Sequence, residues 1–233
     1  MIETFDAIVV GVPARDEEAT IAACLQALVA SAALVDVPVE IVVAADGCTD
    51  GTATVADSVV PGCVIRTDHR GAGSARAAAI DEALLRRSRR ERVWVTTTDA
   101  DTVVHDSWLT THLAWAGTGV DGIAGLVDVA WGPGQEELAI RYRRSITADG
   151  LSVGHHHVHG ANLGLSAERW RSVGGCGSRT VGEDRDLWER LRAAGALLLG
   201  VDDLFVTTSA RLDGRTPAGF AGYLSDLVEE GDR

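Results

Sequence analysis

Along the chain, short apolar runs alternate with segments whose apolar residues recur at helical spacing. Residues 7–12 are an apolar run that Pro13 stops. Residues 17–33 then carry Ile21, Cys24, Leu25 and Leu28 on one helical face, with acids in the expected first turn. A β-rich run at 39–45 closes in the turn-rich segment DGCTDGT, and a short helix is predicted over 52–59. A third strand is expected at 62–66, a helix at 73–87 and a fourth strand at 92–97. Strands and helices in such short alternation predict an α/β fold: a Rossmann-like, mostly parallel sheet with helices on both faces. In sheets of this kind ligands gather at the carboxyl ends of the strands.

Beyond residue 104 the pattern is less regular. Helices are predicted at 108–116, 135–148, 167–173 and 183–194, and strands at 122–131 and 197–208. Between them lies LSVGHHHVHGANLGLS, rich in Gly and His. If that stretch were a strand, His155, His157 and His159 would share one side, a pattern compatible with a metal site. No repeat or linker divides the chain. A single domain is expected, with a nucleotide-binding half at 6–104, a catalytic and acceptor half at 105–211 and a tail or helix at 212–233.

Composition narrows the function. The 233 residues can bury a substantial core, and 46% of them are hydrophobic. A formal net charge of −13 disfavours nucleic-acid partners. All 21 basic residues are Arg, which excludes chemistry on a Schiff-base or P-loop lysine. The four cysteines form no Cys-x-x-Cys pair, so neither a zinc site nor a disulfide framework is indicated. No run approaches the ~20 apolar residues of a membrane span. With an acidic N-terminus unlike a signal peptide, a cytoplasmic location is expected.

The sharpest chemical feature is Asp99-Ala100-Asp101, directly after the fourth strand. Two carboxylates one residue apart repel each other unless a positive charge sits beside them. A solvated Asp-rich turn is the plainer reading of an isolated Asp-x-Asp. The surrounding segments change that balance: VVGVPARDEEATIAACLQAL, IVVAADGCTDGT, GAGSARAAAI, TTTDADTVV, HGANLGLSAERWRSVGG and VGEDRDLWERLRAAGA. In order and spacing, over residues 6–211, they resemble the family 2 glycosyltransferases of GT-A fold.

The resemblance implies a nucleotide-sugar donor, a UDP- or GDP-sugar, and a divalent cation, Mg²⁺ or Mn²⁺. The cation would sit between Asp101 and the diphosphate, turning repulsion into attraction. Asp99 would bond the ribose or a metal-bound water. Pro13 and Ala14 would border the base, Asp46 would bond base or ribose, and Arg76 would reach base or phosphate. Asp184 would be the general base of an inverting transfer, and Glu183 would orient the acceptor or hold the loop. Gly160 and Asn162 would line the donor-sugar or acceptor pocket. His159 would touch the acceptor or serve as a third metal ligand, and Arg211 would approach the diphosphate.

Several of these residues also have a plainer reading. Asp46 could cap the turn before Thr52, Arg76 and Arg211 could be solvated, and Glu183 and Asp184 could simply favour a helix N-terminus. Ala45 and Ala77 stand where the family usually has an acid and an Asn, which leaves the choice between uridine and guanosine open. The acceptor is not identified, and a second subunit could complete its pocket as a homodimer.

Rival readings fare less well. A dinucleotide-dependent oxidoreductase needs Gly-x-Gly-x-x-Gly at the first strand-helix turn, which here reads GVPARDEE. A nucleotidyltransferase needs a basic Gly-rich N-terminal loop, also missing. A retaining transferase of related fold and a non-catalytic nucleotide-sugar binding module stay as alternatives. The Gln-x-x-Arg-Trp signature of processive members is missing, which favours transfer of single residues.

Overall fold

A computed structural model describes residues 4–69, 71–88, 90–147, 154–177, 182–211 and 220–229. The first half alternates as expected: β1 (Ala7–Ala14), α1 (Ile21–Ala32), β2 (Val39–Asp46), α2 (Thr52–Val59), β3 (Val64–Thr67), α3 (Ala72–Leu85) and β4 (Val93–Thr97). There follow β5 (Thr102–Val104), α4 (Trp108–Ala116), β6 (Gly122–Ala130), α5 (Glu136–Thr147), β7 (Leu163–Ser166), α6 (Ala167–Ser172), α7 (Glu183–Ala193), β8 (Leu198–Ser209) and α8 (Phe220–Glu229).

One sheet of eight strands runs β3-β2-β1-β4-β7-β6-β8-β5. β3, β2, β1 and β4 are mutually parallel, as is the β6–β8 pair, whereas β7 is antiparallel to both β4 and β6 and β5 to β8. The sheet is thus mixed and mostly parallel.

Side-chain alternation explains why the first strands are apolar throughout. Ile8, Val10 and Val12 enter the layer under α1 and α2, while Ala7 and Val9 enter the layer under α3. β4 repeats this, with Trp94 on the first side and Val93 and Val95 on the second. A strand covered on both faces has no polar side to show.

Three local expectations are corrected. α1 begins at Ile21, not at residue 17, and has no acid in its first turn. Asp16 turns the chain there with a left-handed φ of 50°. Its carboxylate steadies that turn by accepting from the Thr49 amide at 2.7 Å and the Thr49 hydroxyl at 3.1 Å. Two short strands, β5 and β7, lacked a sequence signal. The His-rich stretch is not a strand over its described residues 154–160, while 151–153 lie outside them. Ala148, expected to end the fifth helix, and 212–219 of the expected tail also lie outside the described residues. Among those described, no helix is long and apolar enough to cross a membrane.

Candidate active site

A cavity of about 690 Å³ opens over the carboxyl ends of β1, β2 and β4. Pro13, Ala14, Asp46, Arg76, Asp99 and Asp101 line its first-half wall. His159, Gly160, Glu183, Asp184 and Arg211 line the opposite side. Eleven residues singled out in the sequence therefore meet around one space.

Arg76 lies between the walls and is 2% exposed. Its Nε donates to Thr97 Oγ1 at 3.0 Å, Nη1 to Glu183 Oε1 at 2.6 Å and Nη2 to Asp99 Oδ1 at 2.8 Å. Thr97 is itself fixed, its hydroxyl donating to the Gly11 carbonyl at 3.0 Å. Burial alone would pull the Arg76 guanidinium down, but the charges of Asp99 and Glu183 outweigh it and hold it above its ordinary value. Arg76 is therefore no solvated helix residue, and Glu183 is held by it beneath the cavity. Gly160 makes room for this arrangement, because a Cβ there would stand 2.6 Å from Arg76 Cζ.

A second arginine holds the other aspartate. Arg211 Nη2 lies 3.0 Å from Asp101 Oδ2, and Nη1 lies 2.9 Å from Glu17 Oε1. Asp101 Oδ2 also accepts from Ser209 Oγ at 3.0 Å, and Oδ1 has the Thr208 hydroxyl at 3.4 Å. Antiparallel pairing of Thr102 with Thr208 places the end of β8 beside Asp101. Glu17, read from sequence as a first-turn helix acid, is 6% exposed and turned toward this cluster. Nothing local in ARDEEA distinguishes it from its neighbour Glu18, whose carboxylate instead accepts from the Gly51 amide at 2.9 Å.

The expected cation does not fit this arrangement. One oxygen of Asp101 already faces a guanidinium and a hydroxyl, and one of Asp99 faces Arg76. A divalent ion on Asp101 Oδ2 would have to displace Arg211, and one on Oδ1 would stand beside its charge.

Asp46 is 3% exposed and organises the loop after β3. It accepts from Thr67 Oγ1 at 2.9 Å, the His69 amide at 2.6 Å and the Gly71 amide at 3.1 Å. The turn before α2 is braced by Asp50 instead, which accepts from the Thr52 amide two residues on at 2.9 Å.

Across the cavity, Gly182 enters α7 with a left-handed φ of 72°, a conformation that glycine adopts without strain. Asp184 then accepts from the Gly160 amide at 2.9 Å through Oδ2 and from the Arg185 amide at 2.7 Å through Oδ1. Amide bonds on both oxygens fix the carboxylate at the rim.

Two expectations for this wall are corrected. Asn162 is fully buried, and its amide is engaged away from the cavity. Oδ1 accepts from Trp108 Nε1 at 2.9 Å, while Nδ2 donates to the carbonyls of Leu126 at 2.8 Å and Leu204 at 3.1 Å. It ties α4 to β6 and β8. The histidines do not form a metal site either. His155 Nδ1 accepts from the His157 amide at 3.1 Å, so its Nε2–H donates to the Val201 carbonyl at 3.2 Å, and His157 Nε2 donates to the Ile146 carbonyl at 3.3 Å. The rings of His157 and His159 stack 6.0 Å apart, and burial pushes His159 down to about 4, so it is neutral at pH 7.

Sequence reasoning also missed an aromatic flank. Tyr142, Phe220 and Tyr223 line the cavity next to His159, with Phe220 edge-on to His159 at 5.7 Å and to Tyr142 at 6.0 Å. α8 supplies two of these rings from a segment expected only as a tail or helix.

The family profile described as glycosyl transferase family 2 matches residues 9–166, more than half of the chain. The chain belongs to glycosyl transferase family 2. No curated protein matches it. Solved structures resemble its fold at low identity. TarS from S. aureus is 15% identical with a TM-score of 0.65, over 88% of this chain and 60% of that one. The mannosyltransferase PcManGT from Pyrobaculum calidifontis, in complex with GDP-Man and Mn²⁺, is 19% identical with a TM-score of 0.66, over 91% and 59%. Glucosyl-3-phosphoglycerate synthase from Mycobacterium tuberculosis, in complex with Mg²⁺ and UDP, is 18% identical with a TM-score of 0.56, over 97% and 79%. The chain thus spans about 60% of the length of TarS and PcManGT.

Proposed function

We propose that the chain transfers a glycosyl group from a nucleoside diphosphate sugar to an acceptor hydroxyl, with inversion. Family membership supports the reaction class. The observation that carries the reading is one cavity with Asp46, Asp99 and Asp101 on one side and a fixed Asp184 on the other. The nucleotide lies over Pro13, Ala14 and Asp46. A uridine or guanosine diphosphate is supported by structures of TarS with UDP and UDP-GlcNAc and of PcManGT with GDP-Man.

In the reaction the acceptor oxygen forms a bond to the anomeric carbon as the bond from that carbon to the diphosphate oxygen breaks. The diphosphate leaves with the bonding electrons, and the acceptor proton passes to Asp184. General-base catalysis of this kind contributes roughly 10²–10⁴-fold in rate. Glu183, paired with Arg76, holds the position of α7 and hence of Asp184. Mg²⁺ or Mn²⁺ at Asp101, as the family resemblance implied, would have to share that carboxylate with Arg211, and no step here depends on a cation.

Calorimetric titration with a panel of UDP- and GDP-sugars tests the donor, and NMR of the product anomer tests inversion. Asp184→Asn keeps an acceptor for the Gly160 amide, so donor binding should persist while turnover falls by about 10²–10⁴-fold. Unchanged turnover in this variant removes Asp184 from the role of base.

A further inference from the structure

We propose that Arg211 is the resident cation of the Asp-x-Asp site: its guanidinium, held by Glu17 and Asp101, takes the donor's diphosphate in place of a divalent metal ion. This rests on the reading of the cavity as a nucleotide-sugar site. Carboxylates crowd the place where the diphosphate must lie, so a positive charge has to face it. The two arginines at the motif differ in availability. Arg76 has a side chain 3% exposed and three bonded nitrogens, so it offers a ligand little. The Arg211 side chain is 39% exposed and lines the cavity.

The charge is also fixed where it is needed. Glu17 and Asp101 each hold one terminal nitrogen, at 2.9 and 3.0 Å, and the Ser209 hydroxyl braces Asp101 from the same strand end. A guanidinium carries five N–H groups in a planar fork, more than two carboxylates engage, and such a fork matches phosphate oxygens. Glu17 and Asp101 thereby act as positioning residues for the arginine. The same contacts occupy Oδ2 of Asp101 and set a positive charge beside its other oxygen.

The test uses the full chain, wild type and Arg211→Gln, which keeps hydrogen-bonding capacity and removes the charge. First, Mn²⁺ is titrated against protein without nucleotide and followed by electron paramagnetic resonance. Wild type should hold no tight Mn²⁺, and Arg211→Gln, with Glu17 and Asp101 released, should gain a site. A tight site in wild type overturns the proposal. Second, UDP and GDP are titrated calorimetrically in EDTA and in Mn²⁺. Wild-type affinity should be the same in both buffers, and Arg211→Gln should lose about 10- to 100-fold in EDTA, the scale of lost charge-assisted bonds. Wild-type binding abolished by EDTA, or full affinity in the EDTA-treated variant, overturns the role of Arg211 alone. Binding of neither nucleotide in either buffer overturns the donor reading with it.

Discussion

Two arginines grip the two aspartates of one motif, and each bridges its aspartate to a distant glutamate. Arg76 joins Asp99 to Glu183 and Arg211 joins Asp101 to Glu17. The chemistry is the same, but the side chain of Arg76 is 3% exposed and that of Arg211 39%. Arg76 is sealed between α3, β4 and α7, where loss of one partner strands buried charge. Arg211 stands at the end of β8, where water reaches its guanidinium, although the Glu17 and Asp101 side chains that it holds are 7% and 11% exposed. The difference teaches that a pair's worth is set by what solvent can do when it breaks.

The largest expected effect breaks the sealed side. Arg76→Ala leaves Glu183 and Asp99 without their counter-charge and should lower unfolding stability by about 3–5 kcal/mol in urea denaturation. A loss below that of an ordinary surface substitution would mean that the two arginines are equivalent. Next comes acid. His112 is fully buried and burial pushes it down to about 3, so the native chain refuses a proton that the unfolded chain accepts below about 6.5. Its contribution is present above that value and fades as pH falls from about 6.5 toward about 3, by roughly 2 kcal/mol between pH 7 and pH 5. Chemical denaturation at the two pH values measures it, and the drop should persist in Arg211→Ala because no guanidinium titrates there. The smallest effect is on the open side, where Arg211→Ala leaves the enclosed Glu17 and Asp101 without their counter-charge but admits water in its place, and should cost roughly 1–2 kcal/mol. A loss as large as that of Arg76→Ala would make Arg211 structural.

How far the sequence could be read follows from how local each signal is. β1, β2 and β4 were legible because burial on both faces makes them continuously apolar. β5 and β7 were not, being three and four residues long, with Gly164 interrupting the latter. Asp99, Asp101 and Asp184 could be named from their motifs. Arg76, Glu183 and Arg211 could be named as well but not paired, since Arg76 meets Glu183 across 107 positions and only the folded sheet makes them neighbours. Asn162 misled for a related reason: a polar residue in a motif beside Gly160 looked like a pocket residue, whereas its amide joins strands beneath the cavity.

The pairing of Thr102 with Thr208 fixes more than a sheet edge. Side chains change sides with every step along a strand, so the phase of β8 selects which residue arrives at the motif's second aspartate. Removing one residue within Val206–Ser209 would bring a different chemistry to the same carboxylate while leaving every named residue of the cavity in the sequence. The ruler, as much as the arginine it delivers, belongs to the active site.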